Sequence, residues 1–156
     1  MRLVLLALAI GFSIPSTSAQ ISKELVELGG SGFLTVVRGN VNLSLSPRVG
    51  YFLSDRVEVG INPLMFTNFD GEGSAVIAAF GAYHVVRDPR ATTVPFAGGS
   101  LGANVSSGGG LAIGAEGGIK QFVLPGGAVT VSAFISTTGD FNPFTTGVQG
   151  GVAIFL

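Results

Sequence analysis

The chain has 156 residues, no cysteine, and eight basic against nine acidic side chains. A disulfide framework and thiol chemistry are therefore excluded, and no basic surface for nucleic acid is expected. Charged residues are 11% of the whole and glycine supplies 25 positions, where about 25% and about 7% are usual for soluble domains. The first segment in the chain explains part of this. Arg2 precedes an apolar run from Leu3 to Ile14, then Pro15 and the small polar stretch Thr17-Ser18-Ala19. That order of charge, apolar run and small residues predicts a secretory signal peptide over 1–19, cleaved before Gln20. The run is shorter than the roughly 20 residues that a spanning helix needs. Losing it removes Arg2 and leaves a net charge of −2 on one domain, 20–156. An exported chain this poor in charge, with no second long apolar run, is either adhesive or enters a membrane with strands.

The segments that follow alternate with period two and show no helical periodicity. Eight strands are expected, roughly over 24–37, 41–53, 57–66, 74–86, 92–105, 109–123, 129–136 and 145–156. Most reach the 9 to 11 residues, roughly, that a tilted strand needs to cross hydrocarbon. Turn-forming stretches separate them, among them Ser54-Asp55-Arg56, Asp70-Gly71-Glu72-Gly73, Arg87-Asp88-Pro89-Arg90 and Leu124-Pro125-Gly126-Gly127. In the second and third strands Leu43, Leu45, Pro47, Val49, Tyr51 and Leu53 share a face, as do Val57, Val59, Ile61, Pro63 and Met65. A three-residue loop at 54–56 makes these faces coincide, pairing Leu53 with Val57, Tyr51 with Val59 and Val49 with Ile61. Pro47 and Pro63 then face each other, which a continuous ladder tolerates poorly. In the fifth strand Val94 and Phe96 are out of phase with Leu101, Ala103 and Val105, and a bulge near Gly98-Gly99 is expected to restore the phase. The sixth and seventh strands continue one apolar face from Leu111 and Ile113 to Val129, Val131 and Ile135.

The second face of each strand is glycine, alanine, serine and threonine with an occasional charge. A soluble sandwich would fill that face with Lys, Glu and Gln. Small residues instead suit the cramped bore of a narrow closed barrel, with the apolar face against lipid. The expected fold is all-β, an eight-stranded antiparallel up-and-down transmembrane barrel.

The stretch Leu45-Ser46-Pro47-Arg48-Val49-Gly50-Tyr51-Phe52-Leu53-Ser54-Asp55-Arg56-Val57-Glu58-Val59-Gly60 resembles the second hairpin of the bacterial outer-membrane protein β-barrel domain family, the small OmpA-like and opacity-type barrels. Residues 94–104, from Val94-Pro95-Phe96 to Gly102-Ala103-Asn104, resemble a later strand of the same family. The resemblance implies eight strands, periplasmic termini, short periplasmic turns, outward loops, residence in the cell outer membrane and insertion by the barrel assembly machinery. Such barrels usually end in an aromatic residue, whereas this chain ends Phe155-Leu156.

Chemistry is expected in the bore. Glu27, Arg48, Glu58, Glu116 and Lys120 fall on inward faces, and charges in so narrow a lumen must be paired or hydrated. Arg48 and Glu58 lie about four residues out of register, roughly 13 Å along the strand, which reads as too far for contact. The expected pairs are Arg48 with Glu116 or Glu27, and Lys120 with Glu58 or Glu27. This network is read as structural; a gated ion path is the alternative. His84, the only histidine, is expected to be an interfacial polar group; barrels that act on lipid A carry His and Ser two apart, and here Val86 takes the second place. The aromatics Tyr51, Phe52, Phe66, Phe69, Tyr83, Phe96, Phe122, Phe141 and Phe144 read as an interfacial girdle, or as the core of a soluble fold. The glycine clusters at 29–32 and 108–110 lack the Lys-Ser/Thr and helix of a phosphate loop.

No catalytic residue, metal or cofactor is expected. The predicted protein is a small barrel with a filled lumen and no wide pore, structural or surface-interacting in the envelope, a monomer whose partner is outer-membrane lipid, with loops near 67–73, 106–110 and 137–142 available to an external partner. Alternatives are a narrow channel, a lipid-modifying barrel enzyme, or a secreted soluble barrel that binds a hydrophobic ligand.

Overall fold

A computed structural model describes residues 21–37, 40–68, 73–88, 91–106, 109–139 and 144–156. The expected signal peptide over 1–19 lies outside the described residues, as do Phe69, Phe141 and parts of the three loops named above. Eight strands are present: β1 (Val26–Val37), β2 (Asn40–Ser54), β3 (Val57–Asn68), β4 (Gly73–His84), β5 (Thr93–Asn104), β6 (Leu111–Leu124), β7 (Gly127–Thr138) and β8 (Phe144–Phe155). Each pairs antiparallel with its chain neighbours and β8 returns to β1, closing a barrel. β1 starts two residues later than expected, because Glu24 takes φ of +73° and the Leu25 N–H donates to the Ser22 carbonyl, which makes a turn of 22–25.

The polarity is inside-out. Ile61, Ile77, Leu101, Val131, Val148 and Val152 all point outward and are exposed, while Glu58, His84 and Lys120 are buried at 0–1% exposure. A water-soluble β fold reverses this arrangement; a barrel in hydrocarbon requires it, because lipid solvates the apolar face and the ladder satisfies the backbone.

Two short turns share one device. Tyr51 pairs with Val59 and Val49 with Ile61, as the alternation requires, but Ser54 rather than Leu53 meets Val57. Leu53 is a bulge before a two-residue Asp55-Arg56 turn, which preserves the odd count a three-residue loop would give. The Ser54 hydroxyl closes it, accepting from the N–H of Arg56 at 3.3 Å and of Val57 at 3.2 Å. At β6–β7 the shift falls between Phe122 and Leu124, ahead of Pro125-Gly126. Gly126 has φ of +73°, the conformation a type II turn demands after proline.

The β2–β3 ladder pairs up to Leu45↔Met65 and resumes at Val49↔Ile61. The gap spans Pro47 and Pro63, neither of which has an N–H to donate. The bulge expected near Gly98-Gly99 is absent. β5 keeps one register from Val76↔Asn104 to His84↔Phe96 and from Thr93↔Gln121 to Ala103↔Leu111. Val94 and Phe96 therefore point inward, on the side opposite Leu101, and they are buried in the bore. The expectation failed because it assigned every large apolar side chain to lipid.

Candidate functional site

Inward side chains arrange the lumen in three layers. At the turn end, Phe52, Val94, Phe122, Ala128, Ala153 and Phe155 form a buried apolar cluster. Phe122 and Phe155 lie 5.2 Å apart between ring centroids, and Phe52 and Phe155 6.2 Å. These rings sit at inward positions of β2, β6 and β8, so Phe52, Phe96 and Phe122 do not belong to an interfacial girdle; Phe66 also faces the bore. Among the described aromatics named above, Tyr51, Tyr83 and Phe144 face outward.

The second layer is ionic. Arg48 Nη1 donates to Glu116 Oε1 at 2.5 Å, and Arg48 Nε lies 3.9 Å from Glu27 Oε1. Lys120 Nζ donates to Glu27 Oε2 and, at 3.3 Å, to Glu58 Oε2. All five residues that the inward faces single out thus meet in one cluster. Arg48 also reaches Glu58, donating from Nε to Oε1 at 3.3 Å and from Nη2 to Oε2 at 3.2 Å. This corrects the expectation that register separates them. The offset between strands is as read, with Glu58 opposite Phe52, but two long side chains lean toward each other across it. The residue between Arg48 and Phe52 on the inward face is Gly50, and a Cβ there would lie 1.9 Å from Glu58 Oε1. Glycine leaves the space that the carboxylate occupies.

Glu58 is the centre of the layer. Its Oε2 accepts from Arg48, from Lys120 and from His84 Nε2 at 2.9 Å. His84 is thus a fully buried lumen residue and not an interfacial one. It sits against Phe52 and stacks on Phe96, with centroids at 5.1 Å and 5.7 Å. With a carboxylate as acceptor, Nε2 carries the proton. The signal for it was parity: His84 is in phase with Ala78, Phe80 and Ala82, which also face inward. Aromatic faces support the cations. The Arg48 guanidinium lies 3.7 Å from the Phe80 centroid, and Lys120 Nζ lies 5.6 Å from the rings of Phe96 and Phe155. Such contacts gain strength away from water.

Uncharged polar groups extend the layer. Gln149 Nε2 donates to Ser132 Oγ at 3.1 Å and to Glu116 Oε2 at 3.4 Å, and Ser46 Oγ donates to Asn62 Oδ1 at 2.5 Å. A pocket of about 30 Å³ among Arg48, Glu116, Lys120, Ser132 and Gln149 has the size and polarity to hold one water. None of these amides and hydroxyls stood out in the sequence, since serine, asparagine and glutamine occur on both faces.

The third layer is a cavity of about 310 Å³ in the loop half of the bore. Phe33, Leu64, Phe66, Val76, Phe80 and Phe134 make its apolar wall, and Glu116, Gln149 and Asn62 stand at its base.

No family model and no curated protein sequence matches the chain. Solved structures do. The N-terminal β-barrel domain of Pseudomonas aeruginosa OprF is similar with a TM-score of 0.66 and 15% identity, covering 86% of this chain and 98% of that one. Neisserial surface protein A gives 0.62 and 16%, covering 83% and 95%. A de novo designed transmembrane β-barrel gives 0.53 and 17%, covering 90% and 100%. At such identities the likeness is one of fold, and that fold is the closed eight-stranded antiparallel transmembrane β-barrel.

Proposed function

We propose that this protein is a monomeric barrel of the bacterial outer membrane with a structural or surface-interacting role, and that its lumen is sealed at the periplasmic end. The observation that carries the reading is the stacking of two barriers in one bore. Phe52, Phe122 and Phe155 close the turn end, and directly above them Arg48 and Lys120 are held among Glu27, Glu58 and Glu116. An ion crossing the barrel would have to break this cluster and part the rings. Eight strands leave an interior just wide enough for side chains, and at the turn end Phe52, Phe122 and Phe155 fill it.

His84 is committed to Glu58 and enclosed by two rings, which favours packing over catalysis. Export by the N-terminal leader and insertion by the barrel assembly machinery complete this reading, with lipid as the standing partner of the outer face. The test is planar-bilayer recording of the purified protein. A flat baseline without unitary steps is expected; reproducible steps in salt would overturn the sealed lumen.

A further inference from the structure

The barrel is not closed to the same extent all round. The β1–β8 ladder runs from Glu27↔Phe155 to Gly32↔Gly150 and ends there. Both strands continue, β1 to Val37 and β8 back to Phe144, and β1 stays paired with β2 to its last residue. Among the described residues no pairing joins the two strands beyond Gly32 and Gly150. The opening lies at hydrocarbon depth, because the outward residues flanking it, Leu34 and Val148, are apolar and more than 60% exposed. Unpaired backbone in that position is tolerated where it is buried in protein or lines a cavity that admits water.

It does line one. Phe33 of β1 and Thr145 and Gln149 of β8 border the 310 Å³ cavity from the two sides of the seam. On the outer wall, beside the last pairs of that ladder, Gly30, Gly32, Leu45, Pro47 and Gly150 form a shallow apolar groove. Groove and cavity thus lie on the outer and inner faces of the same β1–β8 wall, the groove over its last paired residues and the cavity behind its unpaired stretch.

We propose that the outer half of the lumen is a binding site for an uncharged single-tailed amphiphile, such as a long-chain alcohol or monoester, which enters sideways from the membrane between β1 and β8. The proposal rests on the barrel being embedded in a bilayer. Its volume is at the lower end of ligand pockets, which suits one tail and not two. The rings of Phe33, Phe66, Phe80 and Phe134 receive the tail, and Glu116 and Asn62 at the base offer oxygens to a hydroxyl head. The ionic floor selects against an anion: three carboxylates stand against Arg48 and Lys120, and both cations are already engaged. A fatty-acid carboxylate would bring a further negative charge to it.

The chain has no tryptophan and no cysteine, so both can be introduced as unique reporters. Phe66→Trp places a fluorophore on the cavity wall, and Ile61→Trp places one on the lipid face. Each protein is reconstituted in phosphatidylcholine vesicles and titrated with 11-bromoundecanol or with 11-bromoundecanoate, whose bromine quenches on contact. The seam is bridged in a Leu34→Cys, Val148→Cys background, by a disulfide or a short bis-maleimide, since these are the next outward positions in the Gly32↔Gly150 register. Either bridge obstructs the opening, and heat-modifiable gel migration checks that each variant is folded. The expected result is quenching of the Phe66→Trp reporter by the alcohol and not by the carboxylate, and its loss when the seam is bridged. Quenching that persists across the bridge would overturn lateral entry, and an unquenched Phe66→Trp beside a quenched Ile61→Trp would overturn the site. Failure to quench Ile61→Trp would instead overturn the membrane reading on which the proposal rests.

Discussion

Glu58 is the one lumen carboxylate that answers three donors among the described residues, Arg48, Lys120 and His84. Removing one member of a buried ionic group leaves the others uncompensated, which costs about 3–5 kcal/mol. Glu58→Gln keeps the shape and removes the charge that holds Arg48 and Lys120 together, so a loss in that range is expected in urea unfolding from lipid vesicles. Glu116→Gln should cost less, since Glu116 is partly exposed and, among the described residues, accepts from one cation, Arg48, and from the neutral Gln149. Equal losses would mean that the centre of the network is elsewhere. Gly50 supplies a second test. Gly50→Ala puts a methyl where the Glu58 carboxylate lies, and overpacking of this kind costs about 1–3 kcal/mol. That cost should vanish in a Glu58→Ala background, and additive losses in the double-mutant cycle would refute the steric link. At this scale the sequence was informative about charge and poor about reach. Parity alone put Glu27, Arg48, Glu58, Glu116 and Lys120 on the inward face. It did not reveal that Arg48 spans four positions to Glu58, since that depends on where two flexible side chains lean and on a glycine between them. His84 is legible by the same parity, and its place near a strand end, where interfacial polar groups also occur, is what obscures it.

The strands themselves were nearly all readable, because period two is forced by the pleat and turn residues mark the ends. What the alternation could not resolve was the meaning of a large apolar residue on the polar side. Val94 and Phe96 have the pattern of a phase error in β5 and are packing material for the closed end of the bore. The turns show a comparable limit: an odd connection was required at 54–56, and a two-residue turn with a bulge meets the requirement as well as a three-residue loop. Gly126 makes the turn chemistry testable. Its φ of +73° lies in the left-handed region, where a side chain costs about 1–2 kcal/mol. Gly126→Ala should lower unfolding stability by that amount while leaving the lumen contacts and the outer face untouched. An unchanged midpoint would show that the β6–β7 turn adopts another conformation.

For the whole molecule, everything depends on which face of the sheet meets solvent, and the composition predicted this before any register was known. A chain with 11% charged residues cannot cover both faces of eight strands with polar groups, so one face must be solvated by lipid. The glycine and alanine of the other face follow from geometry, since an eight-stranded barrel has little interior to fill. The residues at stake can be tested in opposite directions. Val131 lies on the outward face of β7, paired with Ile119 and Gly150 away from either strand end. In a soluble fold an exposed Val131→Arg would shift stability by no more than about 0.5 kcal/mol. On a lipid-facing strand near the midplane it should cost about 2–4 kcal/mol, read as reversible urea unfolding in vesicles. Phe144→Arg, outward at the loop end of β8, should cost only about 0–1 kcal/mol, because the penalty falls toward the interface. The contrast between the two positions separates a bilayer from a uniform solvent, since water gives no reason for the cost of a charge to depend on its distance from the strand end.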